Sequence, residues 1–339
     1  MRLFLKAIDR HKFSFLSQPG VVSIGVGYKF RRNYCTGVPS LTIGVSKKLP
    51  PGKVPRDQLI PDRIDHLPTD VVEVGRIRFL GFALPWFGDA PDDNADFRKQ
   101  RVRPARPGVS IGHYRTTAGT FGAVVSGKFP GGLGILSNNH ILANGTDGRD
   151  GLARVGDPVL QPAPYDDGGA GDVIARLYAF TKSVPEGRSG KGPINRYDAA
   201  IAVPISPDLV DSAVVGIGPV CATGRAYPGL PVLKSGRTSG VTGGSIFSVR
   251  NTIRVDGDNN RTYIYGDQIG FSAKSEGGDS GSLVVDRNGR AVGLLFAGSE
   301  HYTYANPIDG VLDYFGASLV CDRQGGMRPF FFPGLRKAI

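Results

Sequence analysis

The chain has 339 residues and a net charge of +11, with 40% hydrophobic residues, 49 glycines and 25 prolines. That length allows one large and one small domain, and short apolar runs punctuated by glycine and proline favour a β-rich fold over a helical one. No apolar run approaches the ~18 residues of a spanning helix, no Cys-x-x-Cys or paired-histidine spacing provides a metal site, and no Gly-x-x-x-x-Gly-Lys-Ser/Thr loop provides a phosphate site.

The charge is uneven. Residues 1–106 carry +9 and residues 107–339 carry +2. A basic leading third suits an acidic partner, but without interleaved stacking aromatics or zinc-finger spacing it argues against nucleic acid. The three cysteines, Cys35, Cys221 and Cys321, are odd in number and widely spaced, so no disulfide framework is expected and a reducing compartment fits. Residues 1–6 lack a sustained apolar h-region, so no secretory signal is expected. Together these readings predict a cytoplasmic protein with no membrane association and no cofactor.

Residues 3–17 predict an amphipathic helix marked by Leu3, Leu5, Ile8, Phe13 and Leu16 and ended by Gln18-Pro19-Gly20. Strands are expected at Val21–Phe30 and Ser40–Val45, joined by a connection beginning at Arg32-Asn33, and again at Val71–Phe82. Residues 1–87 thus read as a basic α+β module. Residues 88–106 read as an exposed linker, acidic at Asp89, Asp92, Asp93 and Asp96, then basic at Arg98, Lys99, Arg101, Arg103 and Arg106.

From Val109 the pattern is almost all β, as expected of barrels or sandwiches. The first group of predicted strands is Val109–Tyr114, Gly119–Val125, Gly132–Leu136, Asp172–Phe180 and Ala199–Val203. The second is Val214–Cys221, Pro231–Lys234, Gly244–Val249, Thr252–Val255, Tyr263–Ile269, Ser282–Val285, Ala291–Phe296 and Tyr302–Ala305. Asn288-Gly289 between two apolar runs is a two-residue hairpin signal. Val311–Phe315 suggests a short closing helix. In the tail, 321–339, Phe330-Phe331-Phe332-Pro333 would pack on the body or dock a second subunit.

The chemistry centres on Gly277-Gly278-Asp279-Ser280-Gly281-Ser282, followed by apolar Leu283-Val284-Val285. Glycines flanking a serine predict a tight turn that exposes the hydroxyl and aims backbone N–H groups at one point, which a serine attacking a carbonyl requires. His140 stands at the end of an apolar strand in Leu136-Ser137-Asn138-Asn139-His140-Ile141-Leu142. Asp198 stands before Ala199-Ala200-Ile201-Ala202-Val203, where a partly buried carboxylate needs a partner and an imidazole N–H supplies one. Asp157 and Asp172 compete for that role. The expected division of labour is Ser280 as nucleophile, His140 as proton carrier, Asp198 as its orienter, and the N–H groups of Gly278 and Ser280 as oxyanion donors. His113 and His301 read as structural or surface residues.

The order His140, Asp198, Ser280 is that of two-barrel enzymes. With Gly278-Asp279-Ser280-Gly281, Asp198-Ala199-Ala200-Ile201, Lys234-Ser235-Gly236-Arg237-Thr238-Ser239-Gly240 and Ala305-Asn306-Pro307-Ile308, it makes residues 107–320 resemble the trypsin/chymotrypsin-like serine peptidase superfamily. Ser137–Ala143, Gly156–Pro162, Gly25-Val26-Gly27-Tyr28-Lys29, Lys47-Lys48-Leu49-Pro50 and Thr69-Asp70-Val71-Val72 resemble a bacterial intracellular group with a small leading module, distantly similar to the plant narrow-leaf protease. The resemblance implies a mainly β fold, a trypsin-like double barrel behind a small α+β domain. It also implies that Phe296-Ala297-Gly298-Ser299 run beside the substrate backbone, and that Lys274 either forms the base of the primary pocket or is simply exposed. Asparagines replace the alanines that precede the histidine in secreted members, and isoleucine replaces the cysteine that follows it. No free amine is expected just before the first barrel, so Asp279 needs a different partner.

The sequence therefore predicts a serine endopeptidase acting on a protein or peptide, regulated by its leading module, with a homo-oligomer or regulatory protein as further partners. The alternative is a catalytically silent, protease-like scaffold that holds peptides.

Overall fold

A computed structural model describes residues 1–32, 34–80, 96–187, 192–257 and 261–321. The chain opens with the expected helix, Arg2–Leu16, whose apolar stripe buries Ala7, Ile8, Phe15 and Leu16. It ends at Ser17, and Gly20 reverses the chain at φ +79°. Val21–Arg31 and Tyr34–Val45 then pair antiparallel, and Leu67–Glu73 runs parallel to the second of them. Ile24, Val26, Leu41 and Ile43 are buried.

This leading unit is joined directly to the second barrel. Val21–Arg31 also pairs antiparallel with Gly240–Asp256, with Ser23 opposite Ile253 and Gly27 opposite Ser248. One apolar cluster runs from Ile8, Ile24 and Ile43 into Val232, Ile246, Phe271 and Leu295. Val21–Arg31 and the strands beside it thus extend the second barrel's sheet. The local pattern fixed these strands but could not name their distant partner.

The protein is mainly β, built on two curled sheets. The eight-stranded sheet runs in space from Ala317–Leu319 through Ala123–Gly127, Leu133–Ser137, Ala200–Pro204, Val173–Phe180, Pro158–Leu160 and Ser110–His113 to Gly119–Thr120. It encloses Ile111, Phe121, Val124, Ile135, Val159, Ile174, Leu177 and Ala202. Its outermost strand comes from beyond the closing helix, Ile308–Phe315.

The second sheet closes on itself. Thr262–Phe271, Thr303–Pro307, Arg290–Gly298, Leu283–Asp286, Pro231–Gly236 and Gly240–Asp256 pair in turn, and the last returns to the first. The Asn288-Gly289 hairpin forms as expected: Gly289 sits at φ +70°, and its N–H donates to the Asp286 carbonyl. Leu136, Ile201, Leu233, Leu283, Leu294, Ile308 and Leu312 fill the seam between the barrels. That seam is the boundary between the two sheets, where a cleft can form.

Four expectations need correction. Cys221 and Cys321 form a disulfide, with Cα atoms 4.8 Å apart across 100 residues of sequence. Wide spacing hid that pairing, and the pairing removes the argument for a reducing compartment; Cys35 is free and exposed. The linker is anchored in its basic half: Arg98 is buried, donating to the Gly108 carbonyl (2.9 Å) and to Ser235 Oγ (2.8 Å). Val214–Cys221 is a turn closed by a Val214–Gly218 bridge, because Gly216 and Gly218 adopt positive φ. Gly244–Val249 and Thr252–Val255 belong to one bulged strand, Gly240–Asp256, bent at Arg250 with φ +56°. Asn33, the acidic linker residues Asp89, Asp92 and Asp93, and Phe330-Phe331-Phe332-Pro333 lie outside the described residues.

His113 is fully buried in the first barrel, and its Nε2 lies 3.1 Å from Asp157 Oδ2. Burial outweighs the carboxylate and holds the imidazole below its ordinary value of 6.5. The unfolded chain therefore binds the extra proton first as pH falls, so this site's stability is complete above pH ~6.5 and declines below it. The melting temperature should fall as pH drops from 7 toward 5, and His113→Gln should flatten that slope. An unchanged slope in thermal melts would remove His113 as its source.

Candidate active site

Strand Leu133–Ser137 delivers its last residues into a one-turn helix, Asn139–Leu142. Asn138 and Asn139, fully buried, set this corner. Asn138 Nδ2 donates to the Asp198 carbonyl at 2.8 Å, and Asn139 Nδ2 to the Thr146 carbonyl at 2.9 Å and to that of Thr181. The residue after Asn139 is thereby turned toward Asp198. His140 Nδ1 bonds directly to Asp198 Oδ2, while the His140 N–H reaches Asp198 Oδ1 at 3.2 Å. Asp198 is fully buried. Its own backbone is pinned by Asn306, whose Oδ1 accepts from the Asp198 N–H at 2.9 Å and whose Nδ2 donates to the Asp198 carbonyl at 3.0 Å. A carboxylate held on Nδ1 fixes the tautomer that leaves Nε2 to accept a proton. Nε2 is buried and makes no hydrogen bond among the described residues.

Ser280 stands on a sharp turn made by two glycines of positive φ, Gly278 at +98° and Gly281 at +96°. A side chain at 281 would collide with Ser137 and with the Thr120 carbonyl, so the turn presses against the strand that carries His140. Thr120 fastens it: its N–H donates to the Ser280 carbonyl (2.7 Å) and its Oγ1 to the Gly278 carbonyl (2.8 Å). The Ser280 hydroxyl donates to the Phe296 carbonyl at 3.1 Å rather than to His140.

The residue before the serine has the partner that the sequence left open. Lys234 Nζ lies 2.9 Å from Asp279 Oδ2, and both side chains are fully buried. The backbone N–H groups of Thr238, Ser239 and Glu276 each donate to this carboxylate at 3.0 Å, and Ser239 Oγ donates as well. Burial alone would push Asp279 up. The Lys234 charge and these hydrogen bonds outweigh it and hold the carboxyl below the usual range. Burial lowers the Lys234 ammonium from its ordinary value, against the pull of Asp279. The signal was present in the sequence: a lysine inside the apolar strand Pro231-Val232-Leu233-Lys234 must point inward to a counter-charge.

The cleft holds a segment of the chain itself. Arg78–Phe79 pairs antiparallel with Arg290–Gly298, Phe79 opposite Ala297 and Arg78 opposite Gly298. The Leu80 N–H donates to the Phe296 carbonyl at 3.3 Å, and the Gly278 N–H donates to the Leu80 carbonyl at 2.5 Å. The Phe79 ring rests on the His140 imidazole, centroids 5.0 Å apart, and meets Tyr263 and Tyr265 edge-on. Beneath it, fully buried Tyr265 shares a 2.8 Å hydrogen bond with Ser183 Oγ; burial and then the Asp198 charge hold its phenol well above the ordinary value. Sequence reading ended the strand Val71–Phe82 in the leading module. The structure ends that strand at Glu73 and sends residues 78–80 into the cleft; Gly81 and Phe82 lie outside the described residues.

The other predicted residues divide. Ala297 and Gly298 flank an extended backbone, which here is the chain's own. Ser299 Oγ donates to the Val74 carbonyl and so anchors the start of that segment. Lys274 is exposed, with its ammonium 3.3 Å from Glu276, the second of the two positions the sequence allowed. Asp157 goes to His113, and Asp172 to Arg101 at 3.3 Å. His301 is exposed beside Glu300. Among the described residues no group of three metal-ligating side chains occurs, and no described helix is long and apolar enough to cross a membrane.

Removing Lys234 strands a buried charge on the loop that carries Gly278 and Ser280. Lys234→Met should destabilise the protein by about 3–5 kcal/mol in denaturant melts. Wild-type stability in that variant would show that the ammonium is not the carboxylate's principal partner.

No family model matches the chain, and neither does any curated protein. Three solved structures show what it is similar to. Protease A of Thermobifida fusca is 21% identical over 64% of this chain and 100% of its own, with a TM-score of 0.46. The chymotrypsin of Cellulomonas bogoriensis is 17% identical over 64% and 98%, with a TM-score of 0.43. The Nocardiopsis protease is 16% identical over 63% and 99%, with a TM-score of 0.41. Likeness this distant carries no argument about activity. The chain's own sheets, one closed on itself and the other curled beside it, form a double β-barrel behind a leading helix and hairpin.

Proposed function

We propose that this chain is a serine endopeptidase that hydrolyses peptide bonds through Ser280, His140 and Asp198. One observation carries the reading: a peptide carbonyl, that of Leu80, accepts a hydrogen bond from Gly278 two residues before Ser280, on a backbone paired with Ala297 and Gly298. In the reaction, rotation of Ser280 about χ1, between staggered wells, turns its hydroxyl from the Phe296 carbonyl toward His140 Nε2. Ser280 Oγ then adds to a carbonyl carbon as His140 takes its proton. The N–H groups of Gly278 and Ser280 hold the oxyanion, and Asp198 stabilises the imidazolium. His140 passes the proton to the departing amine, and water releases the acyl group by the same route. Lys234 is a positioning residue, since it fixes Asp279 and through it the Gly278 N–H.

Regulation by the leading segment forms part of the proposal, because residues 78–80 lie where an external peptide would pair. The silent-scaffold alternative gains nothing from an imidazole whose Nε2 is left free and an Asp198 held by three side chains.

Ser280→Ala should abolish both peptide hydrolysis and covalent labelling by a fluorophosphonate probe. Asp198→Asn, which changes the tautomer and keeps the shape, should lower kcat by about 10⁴. Undiminished turnover in purified Ser280→Ala would end the assignment.

A further inference from the structure

The segment in the cleft is bound along its whole length. Ser299 Oγ holds the Val74 carbonyl, and the Asp256 N–H donates to the Ile77 carbonyl at 2.8 Å. Ile77 is buried with Ile253, Val255 and Tyr263. Phe79 lies on His140, and Leu80 packs against the second barrel's apolar cluster. Gly298 makes room for it: a Cβ there would stand 2.9 Å from Leu80 Cδ1. A segment that merely covered the cleft could satisfy all of this with its carbonyls elsewhere. Here the Leu80 carbonyl is the one on the Gly278 N–H.

We infer that the chain cuts itself at the peptide bond joining Leu80 to Gly81, and that residues 78–80 report its preference for leucine at the acyl position with an aromatic residue before it. The inference rests on the serine-peptidase reading above. Ser280 Oγ bonds to the Leu80 carbonyl carbon while its proton passes to His140 Nε2. The bond to the Gly81 nitrogen breaks, and that nitrogen takes the proton and leaves as a new amino terminus. Water then adds to the Leu80 ester and gives a proton to His140. The ester bond to Ser280 breaks, its oxygen recovers that proton, and Leu80 ends as a carboxylate. Because the acyl segment is tethered beside the serine, the reaction is intramolecular and its rate is independent of protein concentration. The shed piece stays in place, since Val21–Arg31 remains paired with Gly240–Asp256.

The test uses the full chain, incubated at two concentrations tenfold apart and followed by intact mass spectrometry and amino-terminal sequencing. Wild type should yield a fragment beginning at Gly81 with the same half-life at both concentrations, elute as one body in native gel filtration, and separate in denaturant. Ser280→Ala should stay whole. Leu80→Asp, whose charge does not suit the apolar site, should be cut at least tenfold more slowly and should take a fluorophosphonate probe on Ser280. Cleavage at another bond, or the same cut in Ser280→Ala, would overturn the inference. So would a wild type that stays whole: if Leu80→Asp is then labelled at Ser280, self-cleavage alone fails and the serine chemistry stands. If neither chain is labelled, the peptidase reading fails with it.

Discussion

The buried pair Lys234–Asp279 is the constraint on which the site's geometry depends. Two ions out of water are tolerable only when each neutralises the other and the remaining lone pairs are filled. Asp279 satisfies both conditions, with an ammonium on one oxygen and backbone N–H groups from Thr238, Ser239 and Glu276 around it. Because Asp279 lies between Gly278 and Ser280, whatever fixes its carboxylate fixes the donor on one side and the hydroxyl on the other. The lysine comes from strand Pro231–Gly236 of the same barrel. The loop is therefore organised by the fold itself, without a newly freed amine.

A second dependence joins the leading segment to the barrel. Sheet pairing at Val21–Arg31 and a common apolar cluster make the helix and hairpin part of the second barrel's body. The chain that leaves Glu73 is short, and Ser299 directs it along Arg290–Gly298. The placement of residues 78–80 follows from where the hairpin is anchored.

Much of this was legible in the sequence, for definite reasons. The helix at Arg2–Leu16, the hairpin at Asn288-Gly289 and most barrel strands are written in local period and turn chemistry. The meeting of His140 with Asp198 was legible because a carboxylate at the mouth of an apolar strand demands a donor. What was hidden depends on contacts between distant segments. The Cys221–Cys321 bond spans 100 residues, Val21–Arg31 finds its partner more than 200 positions on, and Arg98 reads as a linker charge yet is buried on Ser235. Lys234 lies between these cases. Its apolar neighbours announced burial, but only the fold identified the counter-ion. Asn306 framing Asp198 left no local sign beyond its place before Pro307.

Each sheet takes strands from the opposite end of the polypeptide. Ala317–Leu319 finishes the sheet begun at Ser110, while Val21–Arg31 lies against a strand that starts at Gly240. During synthesis the early hairpin must therefore wait, one edge unpaired, until more than 200 further residues have emerged, and the first barrel must wait for nearly the whole chain. Such high contact order makes assembly slow, and a waiting β edge invites wrong pairing. The glycines of Val21–Arg31 and the basic residues around the hairpin weaken that edge as a template until its proper neighbour arrives.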